Sequence, residues 1–320
     1  MSLPQPSASS LSRREFLGRA SAALAVATVA GGTARAQSDV EAGFVDAHSH
    51  IWTTDLERYP LAGGQPVSVL APRSFTAEEL LAIVRPLGVS RVVLIQHKPY
   101  HGLDNRCLAD AMAEHPGVFG GVACIEAGAP RPDVEMLRLK TLGFRGFRIT
   151  PGEGGTSRWS ASEGMRLMWG TAAAQGLAIC PLIDAAYLEQ VDEMCRRFPE
   201  TRVVIDHFAR IGGTGEFPEA DLAALTGLAK HPRVHVKVSA YYYLGRKRPP
   251  YDDLAPMIRR MYDAYGPQRL MWGSDSPYQL GGENTYAASL KLIQEGLDFL
   301  SAEDRDWLLR KSATGVFFSG

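Results

Sequence analysis

Short apolar runs rich in β-branched residues alternate along most of the chain with longer stretches in which apolar residues recur at helical spacing. The runs predict eight strands: Phe44 to His48, Arg91 to His97, Val118 to Glu126, Phe144 to Thr150, Ala178 to Asp184, Arg202 to Phe208, Val234 to Ala240 and Arg269 to Asp275. Between them, segments such as Asp104 to His115, Ser160 to Gln175, Ala186 to Phe198 and Tyr251 to Tyr265 are long enough for the helical crossover that a parallel pair of strands requires. No internal repeat or low-complexity linker interrupts the series. An open, doubly wound sheet would show the same alternation, but no Gly-rich phosphate turn follows the first strand. Eight units favour closure, so the expected fold is α/β, a (β/α)8 TIM barrel in a single domain.

The alternation does not hold at the N-terminus. There Ser12-Arg13-Arg14-Glu15-Phe16-Leu17 precedes an alanine-rich stretch from Ala20 to Ala30 and then Ala34-Arg35-Ala36, a small-residue cleavage pattern. This resembles a twin-arginine export signal. It divides the chain into a signal over 1–36 and a barrel domain over 37–320, and it predicts the twin-arginine export machinery as a partner and a periplasmic or secreted bacterial location. The apolar run of about a dozen residues falls short of the about twenty that span a bilayer, so no permanent membrane anchor is expected.

Composition narrows the partners further. The 45% apolar content supports one large core. The 34 basic residues nearly cancel the 35 acidic ones, with no long basic run among aromatics, so nucleic acid is not an expected partner and a small-molecule substrate is. Cys107, Cys124, Cys180 and Cys195 are too scattered for a metal knuckle or redox pair and are expected as buried free thiols.

Candidate chemistry collects at the predicted strand ends. Asp46, His48 and His50 lie at i, i+2 and i+4 of the first strand, so simple pleating sends all three to one face and both imidazoles to the C-terminal mouth of a barrel. The sixth strand ends on His207 and the eighth on Asp275. Three imidazoles and a carboxylate, His48, His50, His207 and Asp275, suit one borderline divalent cation such as zinc or manganese. Arg148, at the end of the fourth strand, and Arg210, just past His207, are candidates for gripping a substrate carboxylate. His97 and Tyr241, beside the second and seventh strand ends, are further substrate-contact candidates. Burying Arg148 demands a partner, and two cases arise: Asp184 pairs with it and the substrate is a neutral sugar lactone, or the arginine is free and acidic lactones are preferred, the second favoured because Arg210 reaches the same mouth. The sequence leaves the direction of Lys237 open.

Val45-Asp46-Ala47-His48-Ser49-His50, Asp206-His207 and Trp272-Gly273-Ser274-Asp275 followed by Pro277 give the chain a resemblance to the amidohydrolase superfamily from about Phe44 onward. Gly102-Leu103-Asp104-Asn105-Arg106, Arg145-Gly146-Phe147-Arg148 and Val236-Lys237-Val238-Ser239 make it most similar to the amidohydrolase-related branch that includes 2-pyrone-4,6-dicarboxylate lactonase and sugar lactonases. The resemblance implies hydrolysis of a cyclic ester of a sugar acid or aromatic-derived acid. His48, His50 and His207 would bind a cation or polarise the carbonyl, and the catalytic pair His207 and Asp275 would handle water. The fourth strand lacks a bridging lysine and the fifth lacks a histidine, so the implied cofactor is one divalent ion or none. Two alternatives are a metal-dependent decarboxylase, whose relatives generally carry that fifth-strand histidine, and an exported non-catalytic binding protein on a barrel scaffold.

Overall fold

The computed structural model describes residues 43–155 and 157–319; the predicted export signal lies outside the described residues. Eight strands form one parallel sheet in sequential order: β1 (Phe44–Ser49), β2 (Val89–Ile95), β3 (Phe119–Ala123), β4 (Phe144–Ile149), β5 (Ala178–Pro181), β6 (Arg202–Ile205), β7 (Val234–Val238) and β8 (Leu270–Trp272). The sheet closes just beyond β8. Ser49 bridges Ser276 in parallel, the Asp275 amide donates to the His48 carbonyl at 2.7 Å, and the His50 amide donates to the Ser276 carbonyl at 2.8 Å. Gly273 permits this approach, because a Cβ there would lie 2.8 Å from the His48 Cβ and 3.0 Å from its amide nitrogen. The eight-stranded barrel expected from the sequence is therefore present, with helices between the strands.

Helices α1 (Ala77–Val84), α2 (Lys98–His101), α3 (Arg106–Glu114), α4 (Pro132–Thr141), α5 (Glu163–Gln175) and α6 (Leu188–Arg197) accompany the first six strands. They are followed by α7 (Glu219–Gly227), α8 (Ala255–Tyr265), α9 (Tyr286–Gln294), α10 (Ala302–Asp306) and α11 (Ser312–Phe317). Local chemistry sets several ends. Thr76 and Glu79 form a capping box at the start of α1, Ser162 caps α5, and Gly176 closes α5 in the left-handed conformation that glycine reaches at little cost. Among the described residues no helix is long and apolar enough to cross a membrane.

Two apolar clusters share the work of burial. The larger lies between the sheet and the helices. The smaller fills the barrel interior with Val45, Ala47, Val93, Val122, Cys180, Val204 and Met271, and Ala313, Val316 and Phe317 of α11 pack against it. Gly146 belongs to this crowded layer, where a Cβ would stand 3.0 Å from Val122 and 3.2 Å from Phe317. All four cysteines are buried free thiols, as expected.

Most strands stop earlier at the mouth than predicted. At β6, β7 and β8 the reason is backbone geometry that an apolar pattern does not reveal: His207, Phe208, Ala209 and Arg210 all have φ between 52° and 55°, Ala240 has 61° and Asp275 has 60°. A residue in that conformation cannot continue a ladder. It turns the chain instead, and each of these turns aims side chains at the mouth.

Candidate active site

The same alternation that puts Val45 and Ala47 inside the barrel sends Asp46 elsewhere. Its carboxylate accepts from the Ser274 amide at 2.8 Å, the Ser274 hydroxyl at 2.6 Å, the Tyr286 hydroxyl of α9 at 2.8 Å and the His48 amide at 2.9 Å. The expectation of one shared face for Asp46, His48 and His50 is thus corrected. Register shifts between Asp46 and Ser49, so His48 and His50 turn toward the mouth while Asp46 braces the β1–β8 seam behind them. Burial pushes the Asp46 carboxyl up to about 6 in spite of its four donors.

Asp275 stands at the centre of the cluster. Its Oδ1 lies 3.3 Å from His50 Nε2 and 3.5 Å from His48 Nε2, and its Oδ2 lies 3.7 Å from His207 Nε2. The Tyr242 hydroxyl donates to Oδ2 at 2.8 Å. Burial alone would raise this carboxyl, but His207, a hydrogen bond from His50, and His48 hold it well below the ordinary carboxylate range, so it is ionised. Burial also lowers His207 to about 4 and, with the charge of Lys237, takes His48 well below its usual value. Those two rings are neutral. His207 is fixed from behind by Ser239, whose hydroxyl is 2.8 Å from Nδ1.

Beneath the imidazoles lies a buried charge cluster whose arginine reaches the cavity. Arg148 Nε and Nη2 donate to Asp206 Oδ2 at 3.2 and 3.1 Å, and Lys237 Nζ stands 3.0 Å from Asp206 Oδ1. Burial would raise the Asp206 carboxyl, yet Lys237, Arg148 and His48 hold it well below its ordinary value. The side chain of Lys237 points inward, above the Phe317 ring. Arg148 is therefore not free, as the favoured sequence reading had it, and Asp184, its candidate internal partner, pairs instead with Arg210 at 3.2 Å on the exposed rim, because β5 ends at Pro181 and carries Asp184 away from the interior.

A cavity of about 670 Å³ opens above this floor. His50, His207 and Asp275 line it together with Arg148, Arg210 and His97, all singled out in the sequence. Tyr241 does not. It is fully buried, with its hydroxyl bonded to the Val238 carbonyl and its ring against Tyr251, because the turn at Ala240 inverts the pleat and presents Tyr242 to the cavity. Sequence reading also left out Tyr278, which stacks on Tyr242 and sits 2.5 Å from His97 Nε2, and Lys98 and Glu153, an ion pair on the opposite wall. Nearness to Pro277 and to the second and fourth strand ends was their only sequence signal.

His48, His207 and Asp275 present ligand atoms within 4.8 Å of one another, a span that one small cation can bridge. His50 adds a chemical argument for a positive charge here. Its Nδ1 faces the Ile95 carbonyl at 2.8 Å and its Nε2 faces Asp275, and a neutral ring can donate to only one acceptor. A proton or a cation between Nε2 and the carboxylate completes the pair.

A (β/α)8 barrel with a His/Asp centre at the C-terminal mouth is an enzyme architecture. The amidohydrolase family model matches residues 45–318, and the chain belongs to that family. It is 28% identical over 267 residues to L-fucono-1,5-lactonase of Burkholderia ambifaria, covering 82% of this chain and 90% of that one. It is 26% identical over 243 residues to 4-sulfomuconolactone hydrolase of Hydrogenophaga intermedia, covering 74% and 75%. An amidohydrolase structure from Burkholderia multivorans with bound zinc superposes with a TM-score of 0.72 at 24% identity, over 87% of this chain and all of that one.

Proposed function

We propose that the protein hydrolyses the ring ester of a lactone. The observation that carries this reading is the ionised Asp275 carboxylate, held by Tyr242 among three imidazoles and facing an open cavity beside Arg148. Two relatives whose names specify lactone hydrolysis support it.

In the proposed reaction, Asp275 accepts a hydrogen bond from a water seated above it and takes its proton as the oxygen attacks the carbonyl carbon. Arg148, whose Nη1 makes no hydrogen bond to a described residue, donates to the carbonyl oxygen as negative charge develops there. The ring carbon–oxygen bond then breaks, and the departing alkoxide recovers the proton from Asp275 to give the hydroxy acid. His48, His207 and Asp275 would hold a single zinc or manganese ion, with His50 beside it. When bound, such an ion supplies Lewis-acid polarisation of the carbonyl and a more acidic water. On the fifth strand the interior position is Cys180, which leaves the decarboxylase alternative without its extra imidazole.

Export through the twin-arginine route stays part of the proposal, resting on Arg13, Arg14 and Ala34-Arg35-Ala36. N-terminal sequencing of the secreted chain should start near Gln37, and lysine at both arginine positions should retain the precursor.

The test of the activity is proton release from a panel of five- and six-membered lactones. Asp275→Asn should lower turnover by about 10²–10⁴-fold with an unchanged melting temperature. Full activity in that variant would remove Asp275 from the mechanism.

A further inference from the structure

Resting on the lactonase reading, we infer that Tyr278 touches the substrate and donates a hydrogen bond to the ring oxygen that leaves when the ester opens. In the reaction above, that oxygen has no partner until a proton arrives from Asp275. Tyr278 lies just past β8 and lines the cavity together with His97. Its hydroxyl sits 2.5 Å from His97 Nε2 and makes no other hydrogen bond to a described residue. Which of the two groups donates is decided at the far side of the imidazole. Burial against Trp52 and Tyr100 keeps the His97 ring neutral, so it carries a single N–H. Its Nδ1 is buried and meets no partner among the described residues. A proton there would be a buried donor without an acceptor, the rarer kind of orphan. The proton therefore sits on Nε2 and is donated to the Tyr278 oxygen. The phenol keeps its own proton at neutral pH and has it free for a group in the cavity.

The surroundings hold this hydroxyl beside the reacting centre. Tyr242 stacks on the Tyr278 ring with centroids 6.0 Å apart at 22°, and Trp52 lies 6.3 Å from it. The His97 ring is 5.1 Å from that of His50, whose Nε2 faces Asp275 at 3.3 Å. Other donors along the cavity are already engaged: Tyr242 with Asp275, Arg210 with Asp184, and Lys98 and Thr150 with Glu153. Arg148 approaches from β4, which stands opposite β8 in a ring of eight strands in sequential order. An ester carbon carries two oxygens, and two donors on opposite sides of the mouth match them, Arg148 for the carbonyl oxygen and Tyr278 for the ring oxygen. Negative charge moves onto the ring oxygen as its bond to carbon lengthens. A hydrogen bond aimed there stabilises the transition state more than the bound lactone. Tyr278 gives up no proton in this role, and the alkoxide still takes its proton from Asp275.

The experiment compares two lactones of equal ring size in wild type and Tyr278→Phe: δ-valerolactone, whose ring oxygen leaves as an aliphatic alkoxide, and dihydrocoumarin, whose ring oxygen leaves as a phenoxide. A phenoxide needs little help to leave. The variant should therefore lose roughly tenfold or more in kcat/KM on δ-valerolactone and less than about threefold on dihydrocoumarin. Phenylalanine keeps the ring that stacks on Tyr242, so a change of packing does not mimic this split. Nitrogen-15 spectra of histidine-labelled wild type, with His97 assigned through His97→Gln, should place the proton of that ring on Nε2. A proton on Nδ1, or equal losses on the two lactones, overturns the assignment and leaves lactone hydrolysis standing. Wild type inert on both and on the whole lactone panel overturns the lactonase reading, and the assignment with it.

Discussion

Arg148 and Asp206 are buried together below the cavity, with Nε and Nη2 of the guanidinium 3.2 and 3.1 Å from a single carboxylate oxygen. Lys237 shares the same carboxylate, so one anion balances two buried cations. Removing the anion is therefore worse than removing either cation. Asp206→Asn should destabilise the fold by about 3–5 kcal/mol, the range for breaking a buried pair, whereas Lys237→Met should cost less. Urea unfolding of both variants decides the order, and equal losses would contradict it.

The left-handed turn from His207 to Arg210 gives an unusual mutational signature. An alanine held at φ near 50° costs about 1–2 kcal/mol, so Ala209→Gly relieves that much. Against it stand about 0.8 kcal/mol for the lost buried methyl and about 0.4–1 kcal/mol of added chain entropy in the unfolded state. The two sides nearly cancel, and the glycine variant should melt within a few degrees of wild type. Ala209→Val adds a β-branched side chain to a fully buried left-handed position and should destabilise by about 3 kcal/mol or more. Thermal melts of the pair test this, and a well-tolerated valine would exclude the left-handed turn.

Acid should weaken the protein between pH 6.5 and about 4. His97, lowered to about 2 by burial, and His207, lowered to about 4, stay neutral in the fold while the unfolded chain takes up protons near 6.5. The unfolded state binds more protons across that window, so stability is complete above 6.5 and falls with pH. Asp46 works in the opposite sense. Raised to about 6, it binds a proton in the fold before the unfolded chain does, and its contribution fades as pH rises from 3.8 to 6. His48 and His235 are lowered by burial in the same sense, so the histidines outweigh one aspartate, and melting temperature should climb from pH 4 to 6.5, and more steeply in Asp46→Asn. A flat profile would show that these rings are not buried neutral.

Metal content should not exceed one ion per chain, since His48, His207 and Asp275 are the only buried set among the described residues whose ligand atoms lie close enough. Arg148 Nη2 lies 2.9 Å from His48 Nε2 and competes for the same lone pair. Arg148→Met frees that nitrogen and should accordingly raise zinc affinity by roughly tenfold, on the scale by which neighbours of a ligand shift metal affinity. Titration with a zinc indicator measures it, and weaker binding in the variant would mean that Arg148 does not oppose the ion.

The sequence by itself determined the barrel, because eight β-branched runs separated by helical spacing leave few ways to bury both faces of a parallel sheet. It also placed His48, His50, His207 and Asp275 at strand ends, since position along a strand fixes which end of a barrel a residue reaches. What it could not supply was direction beyond those ends. Simple pleating put Asp46 beside the histidines, and only the register shift that follows it in β1 turns the histidines to the mouth and leaves Asp46 on Ser274 and Tyr286. Tyr241 and Tyr242 are equivalent in sequence, and the positive φ of Ala240 decided between them. Sequence reading offered Arg148 only Asp184 as an internal partner, but a salt bridge forms across space, and the carboxylate that meets it is Asp206. Where β5 and β6 stop, and where the backbone turns left-handed, settled which carboxylate Arg148 meets and hence the charge the cavity offers to a substrate.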